Sequence, residues 1–191
     1  QNAVCAEALM PLYRAGQRGI AARLGIFLME SDHPRTALAP LLTGARELRE
    51  TSDYHDAIHL LDTRDRVLEQ LGTGPDSYGE SWNLRARIFL HLGRIRDART
   101  WAERTERACA EQPWSLLSQE AFRLQGDAAR RGGDLDSAVN LYRQCVALDR
   151  DRDAHAAAAC LWGLGDIARM RNDFSAAIGY FDRSRRLYTE I

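Results

Sequence analysis

The stretch "GDAARRGGDLDSAVNLY", residues 126–142, returns thirty-nine residues later as "GDIARMRNDFSAAIGYF", residues 165–181. Gly126 aligns with Gly165, Asp127 with Asp166, Arg130 with Arg169, Asp134 with Asp173, Ala138 with Ala177 and Tyr142 with Phe181. Leu135, Ala138, Val139, Tyr142 and Val146 follow the 3, 4, 7 spacing of one helical face. Asp134 and Asp173 stand where an N-cap is needed. Each phrase therefore predicts a helix, a turn containing Gly or Asn, and a second helix.

The same pattern recurs upstream. Ala86, Phe89, Gly93, Ile95 and Ala98 occupy the positions of Gly126, Ala129, Gly133, Leu135 and Ala138, and Ala45, Leu48, Tyr54 and Ala57 mark an earlier copy. A degraded copy over residues 2–31 has "RAGQRGIAARLG" as its turn and second helix. One helical hairpin cannot bury its own apolar face, so neighbours must stack to share a core. Small residues at Gly126, Gly165, Ala138 and Ala177 should allow close approach, with Phe122, Tyr142, Trp101, Phe174 and Phe181 filling the spaces between hairpins. "GTGPDS" (72–77), "EQPW" (111–114) and "DRDRD" (149–153) separate the copies, and none is long enough for a domain linker. Pro40 either begins its helix or kinks it. The expectation is one domain over 1–191 with repeats near 2–31, 38–71, 79–112, 119–150 and 158–191.

Leu161, Leu164, Gly165, Ala168, Ala177 and Phe181 in the last copy, and Trp82, Ala86, Phe89 and Ala98 in the third, resemble the signature of the tetratricopeptide repeat. The sequence departs from it at Arg85 and Gln125, which hold a Leu position, in the missing closing Pro, and in a spacing of 39–41 residues where about 34 is usual. Longer repeats of this kind look like the helical arrays of bacterial signal-transduction ATPases and maltose-activator-type regulators. The resemblance implies an all-α, right-handed α-solenoid of about ten antiparallel helices. It also implies a concave groove lined by the first helices of successive hairpins. Carried onto this chain, the groove positions are Arg46 and Arg49; Asn83, Arg87 and His91; Arg123, Asp127, Arg130 and Arg131; and Trp162, Asp166 and Arg169.

Composition narrows the function. The chain has 191 residues, 45% hydrophobic and 28% charged, with a formal net charge of −1. Its 26 basic side chains are all arginine. Without lysine there is no Walker A loop and no Schiff base. The near-neutral balance argues against nucleic acid as a partner. The arginine bias points to a GC-rich bacterial genome, and a chain opening on Gln1 reads as a piece of something longer. No apolar run approaches the ~18–20 residues of a membrane span, and the opening residues lack a signal peptide. Cys5, Cys109, Cys145 and Cys160 stand apart, which fits a reduced cytoplasmic compartment.

Candidate chemistry is thin. His55 and His59 share a helical face with Asp62 nearby, but no distant ligand cluster accompanies them, so two solvated histidines are expected and no metal. "GLGD" (163–166) lacks the preceding strand of a phosphate loop. "DRDRD" lacks the glycine and terminal glutamate of a calcium loop. No cofactor and no enzymatic activity are expected.

The leading expectation is an interaction scaffold of a bacterial regulatory protein that holds an acidic peptide, helix or neighbouring domain on its groove arginines. Reversing the charges of Arg87 and Arg130 should abolish that binding while sparing the fold. The alternative is a sensor for a small anionic effector near Arg123, Arg130 and Trp162. A third expectation is self-association through the terminal helices, because "YFDRSRRLYTEI" shows no evident polar cap.

Overall fold

The structure, a computed structural model, describes residues 2–30, 34–110, 116–148 and 154–190. The separators "EQPW" and "DRDRD" lie outside the described residues. Ten α-helices and no strand are found among the described residues. They are α1 (Asn2–Arg14), α2 (Ala21–Met29), α3 (Leu38–Glu50), α4 (Tyr54–Gln70), α5 (Gly79–His91), α6 (Ile95–Ala108), α7 (Leu116–Arg131), α8 (Leu135–Leu148), α9 (Ala154–Met170) and α10 (Phe174–Glu190). Successive pairs form hairpins where the repeat predicted them. Pro40 falls in the first turn of α3, where its missing N–H costs no helical bond.

Four hairpins close with the same turn. Ser52, Gly93, Gly133 and Asn172 each take a positive φ, of 67°, 70°, 86° and 62°. The next residue then donates to a carbonyl in the helix's last turn: Asp53 N to Leu48 O, Arg94 N to Phe89 O, Asp134 N to Ala129 O and Asp173 N to Ala168 O, at 2.8–3.0 Å. This left-handed cap satisfies carbonyls that the helix end would leave orphaned. Asp134 and Asp173 then cap the second helices, accepting from Ser137 N at 3.1 Å and Ala176 N at 3.0 Å. Hydrogen bonds from the Ser137 side chain and its backbone N–H hold the Asp134 carboxyl below its ordinary range.

The chain divides into two compact units, Gln1–Arg85 and Ala86–Ile191, with the division inside α5. In the first, Leu24, Leu41, Leu61, Val67 and Leu68 form the apolar interior. Gly44 of α3 lies so close to α2 that a Cβ there would stand 2.6 Å from Ala22 N. Arg85, one of the two departures from the repeat pattern, is only 4% exposed and binds Asp62 at 2.6 Å and Asp65 at 2.9 Å on α4.

In the second unit Ala138, Tyr142, Cys145, Cys160, Leu161, Leu164 and Ile167 form the core. The ring of Tyr142 on α8 is gripped at both edges. A Cβ on Gly126 of α7 would lie 2.5 Å from Cε1, and one on Gly163 of α9 would lie 2.6 Å from Cε2. Gly165 approaches Phe181 on α10 in the same manner, at 2.7 Å. Gln125, the other departure, is buried and donates to Glu106 of α6 at 2.7 Å. One expectation fails: Phe174 does not fill an inter-hairpin space but is 60% exposed, because it opens α10 on that helix's outer face.

Two stability predictions follow. Gly163→Ala, Ala138→Leu and Ala177→Leu each overfill a closed contact and should cost about 1–3 kcal/mol in urea unfolding. Ser52→Gly removes the strain of a side chain in a left-handed conformation and should gain about 1 kcal/mol in the same measurement.

Candidate binding groove

Within the second unit, α5, α7 and α9 present one face to a cavity of about 470 Å³. Five of the predicted groove residues line it: Arg87, His91, Arg123, Asp127 and Arg131. Glu120 and His155 join them. Arg87 binds Glu120, which also takes two bonds of 2.7 Å from Arg123. Arg123 then reaches Asp127, also at 2.7 Å. Arg131 is exposed and donates to the Leu90 carbonyl.

A second cluster holds Arg130, Trp162, Asp166 and Arg169. The Tyr142 hydroxyl connects the two, donating to Asp127 at 2.7 Å and accepting from Arg130 Nε at 3.3 Å. Arg130 also binds Asp166 at 3.0 Å and stacks 5.7 Å above the Trp162 ring. Asp166 in turn takes Arg169 at 2.8 Å. The result is one polar chain from Arg87 to Arg169, anchored in the core by a fully buried tyrosine.

The electrostatics follow from that anchoring. Burial alone would raise the Glu120 carboxyl, but the hydrogen bonds and charges of Arg123 and Arg87 outweigh it and hold it below the usual glutamate range. Burial opposes charge on Arg123 too, yet Glu120 and Asp127 keep it firmly protonated. Burial, reinforced by the Asp127 charge, pushes the Tyr142 hydroxyl up, so it stays a donor. Burial and a bond to Cys145 likewise raise the Cys160 thiol, leaving it an inert core group.

The other predicted residues belong to the first unit. Arg46 is exposed and pairs with Glu80 at 3.3 Å, while Arg49 lies 3.8 Å from Glu50. Asn83 is a correction: it is buried rather than open to a groove, because α5 is enclosed on all sides at this point, with Ser81, Trp82, Leu84 and Arg85 buried as well. Arg130 also differs from expectation. Its bonds to Tyr142 and Asp166 make it part of the fold, so its charge reversal would not spare folding. Arg131 is the cleaner surface probe.

His155 was missed because it opens α9, directly after a charged separator with no repeat signature. The polar role of Tyr142 was missed as well, although its hydroxyl, absent from the matching Phe181, was a signal: a buried phenol needs a partner. His55 and His59 are exposed on α4, and no cluster of three metal-ligating side chains occurs among the described residues.

Sequence profiles of the tetratricopeptide repeat match residues 42–113 and 117–190, together about three quarters of the chain. The chain is a tetratricopeptide-repeat protein. Such repeats are protein-interaction scaffolds, and the hairpins described above are their structural unit. Among solved structures, the chain is similar to BtubC (BKLC) from P. vanneervenii, with 14% identity and a TM-score of 0.74 over 99% of this chain and 79% of that one. It is also similar to MamA 41-end from Desulfovibrio magneticus RS-1, at 19% identity and a TM-score of 0.64 over 97% and 96%. A putative kinesin light chain from Podosopora anserina with nearly identical TPR-like repeats gives 18% and 0.64 over 97% and 93%. These likenesses are of fold. Comparison with curated proteins returns no match. No helix is long and apolar enough to cross a membrane among the described residues.

The low Glu120 pKa has a pH signature in this tetratricopeptide-repeat protein. A carboxyl depressed in the folded state contributes stability above its unfolded value of about 4.3, and loses it as pH falls toward the folded value. Glu120→Gln should lower the melting temperature at pH 7 by an amount equivalent to about 1–3 kcal/mol, and should flatten the acid limb between pH ~5 and ~3. Thermal unfolding across pH checks both. Tyr142→Phe should cost about 1–2 kcal/mol, because it leaves Asp127 and Arg130 short of a partner.

Proposed function

We propose that the groove between α5, α7 and α9 holds an acidic peptide segment, and that the chain serves as the non-enzymatic interaction module of a cytoplasmic bacterial regulatory protein. The observation behind this reading is the groove's charge. Among the described residues, Arg87, Arg123 and Arg131 line the cavity against two carboxylates, Glu120 and Asp127, which leaves one positive charge in excess. Because the carboxylates hold the guanidiniums in place, a visiting acid meets donors that are already oriented. Trp162, half exposed under Arg130, adds a flat apolar anchor beside them.

The cavity volume of about 470 Å³ supports a second reading, a sensor for a small anionic effector, since it falls in the usual range for small-ligand sites. A thermal-shift screen against anionic metabolites favours that reading if a small molecule raises the melting temperature and a peptide does not.

The test of the peptide reading is fluorescence anisotropy with a labelled hexaglutamate peptide. Arg87→Glu with Arg131→Glu should weaken binding by at least about tenfold at low salt; loss of the Arg87 bond to Glu120 also lowers the melting temperature, so affinity is read well below the variant's unfolding transition. Equal affinity in the double variant overturns the reading.

A further inference from the structure

We propose that a cavity of the first unit, between α2 and α3 at the turn end of their hairpins, binds a short alkyl diamine. An apolar floor takes its methylene chain, and carboxylates at the rim take its two ammonium groups.

The cavity holds about 730 Å³, within the usual range for small-ligand sites, and the residues lining it all belong to the first unit. Its floor follows from the close approach of α2 and α3. Gly44 stands against Ala22 with no room for a Cβ, and Leu48 lies one turn further along α3. None of the three side chains is polar, so an alkyl stem can lie along them. The rim is acidic. Glu47 and Glu50 come from the last turn of α3, and Asp53 from the turn that follows it. Among the described lining residues Arg18 is the one basic side chain, so three carboxylates against one guanidinium leave an excess of two negative charges.

Helix formation does not account for these acids. A helix C-terminus carries partial negative charge, which makes carboxylates in its last turn unfavourable, and α3 has two there. Asp53 stands at the N-cap of α4 but makes no side-chain cap bond, whereas Asp134 and Asp173 of the later hairpins do. Its Oδ2 accepts instead from the Thr51 hydroxyl at 2.6 Å. Glu47 Oε2 accepts from Gly19 N at 3.1 Å, and Glu50 binds Arg18, with Arg49 3.8 Å from its other oxygen. Glu47 and Asp53 are therefore each held through one oxygen, and the second can receive an ammonium group.

The occupant follows from that arrangement. An excess of two negative charges matches a dication, and the floor beneath them suits a methylene spacer. A metal ion would gain nothing from the floor, and no group of three metal-ligating side chains occurs among the described residues.

Isothermal titration of the full chain with 1,4-diaminobutane tests the assignment. Heat that saturates at one equivalent is expected. Butylamine, with the same stem and a single charge, should bind at least about threefold more weakly. Glu47→Gln with Asp53→Asn keeps the shape of both side chains and an acceptor oxygen on each. That double variant should weaken diamine binding by about tenfold and leave the melting temperature of the free chain nearly unchanged. Glu50→Gln by itself should weaken it by about threefold. The Arg87→Glu, Arg131→Glu protein should bind the diamine normally, so failure of the groove reading and failure of this one are distinguishable.

Absence of saturable heat overturns the proposal, and so does equal affinity in the Gln and Asn variants. Displacement of the diamine by magnesium chloride at matched ionic strength marks a diffuse counterion effect and overturns it as well. A trilysine peptide that binds more tightly than the diamine makes a basic protein segment the occupant, with the same result.

Discussion

The ring of Tyr142 sits where two backbones close on it, and much of the second unit follows from that constraint. Gly126 and Gly163 come so near that neither position has room for a Cβ without a shift of the ring. Close packing at this density leaves little slack, so α7, α8 and α9 have one mutual spacing. The same ring carries a hydroxyl into the interior. A buried hydroxyl requires a partner, which brings in Asp127, then Arg130, then Asp166. Packing and polar chemistry at the groove are thus one arrangement reached from a single side chain.

This linkage changes what the groove arginines mean. Read alone, a row of guanidiniums looks like a strong anion trap. In the structure much of their charge is met by Glu120, Asp127 and Asp166. What remains is a modest positive excess on a rigid frame, and such a frame favours orientation and partner choice over raw attraction. It also limits mutational tolerance, since removing one member of a half-buried network strands its neighbours.

The fold was legible because its signals are local. Helical periodicity, Asp caps and turn residues all lie within one repeat, and the repeat shows them several times. Gly126 and Gly165 were recognised as points of close approach, for the same reason. The site was less legible because its partners are distant in sequence. Nothing near Arg130 announces that Asp166 will neutralise it, and the burial of Asn83 depends on α5 being enclosed on every side there. Phe174 was misread because the repeat assigns a position in the register, while exposure depends on whether another helix covers that position. The division inside α5 has no compositional mark at all.

The two departures from the repeat pattern also bear on how such a chain changes over time. Arg85 and Gln125 occupy a position that is Leu164 in the last hairpin, and each faces an acidic residue on the preceding helix: Asp62 and Asp65 for one, Glu106 for the other. Arrays of near-identical modules grow and shrink readily, since any unit accepts any neighbour. Here the joints are keyed. A hairpin led by Leu164 would set an aliphatic group against an acid if moved forward, and one led by Arg85 would bury a charge without an answer if moved back. The order of the hairpins is therefore locked by chemistry. Such a chain diversifies by changing single residues on its surfaces, not by shuffling its parts.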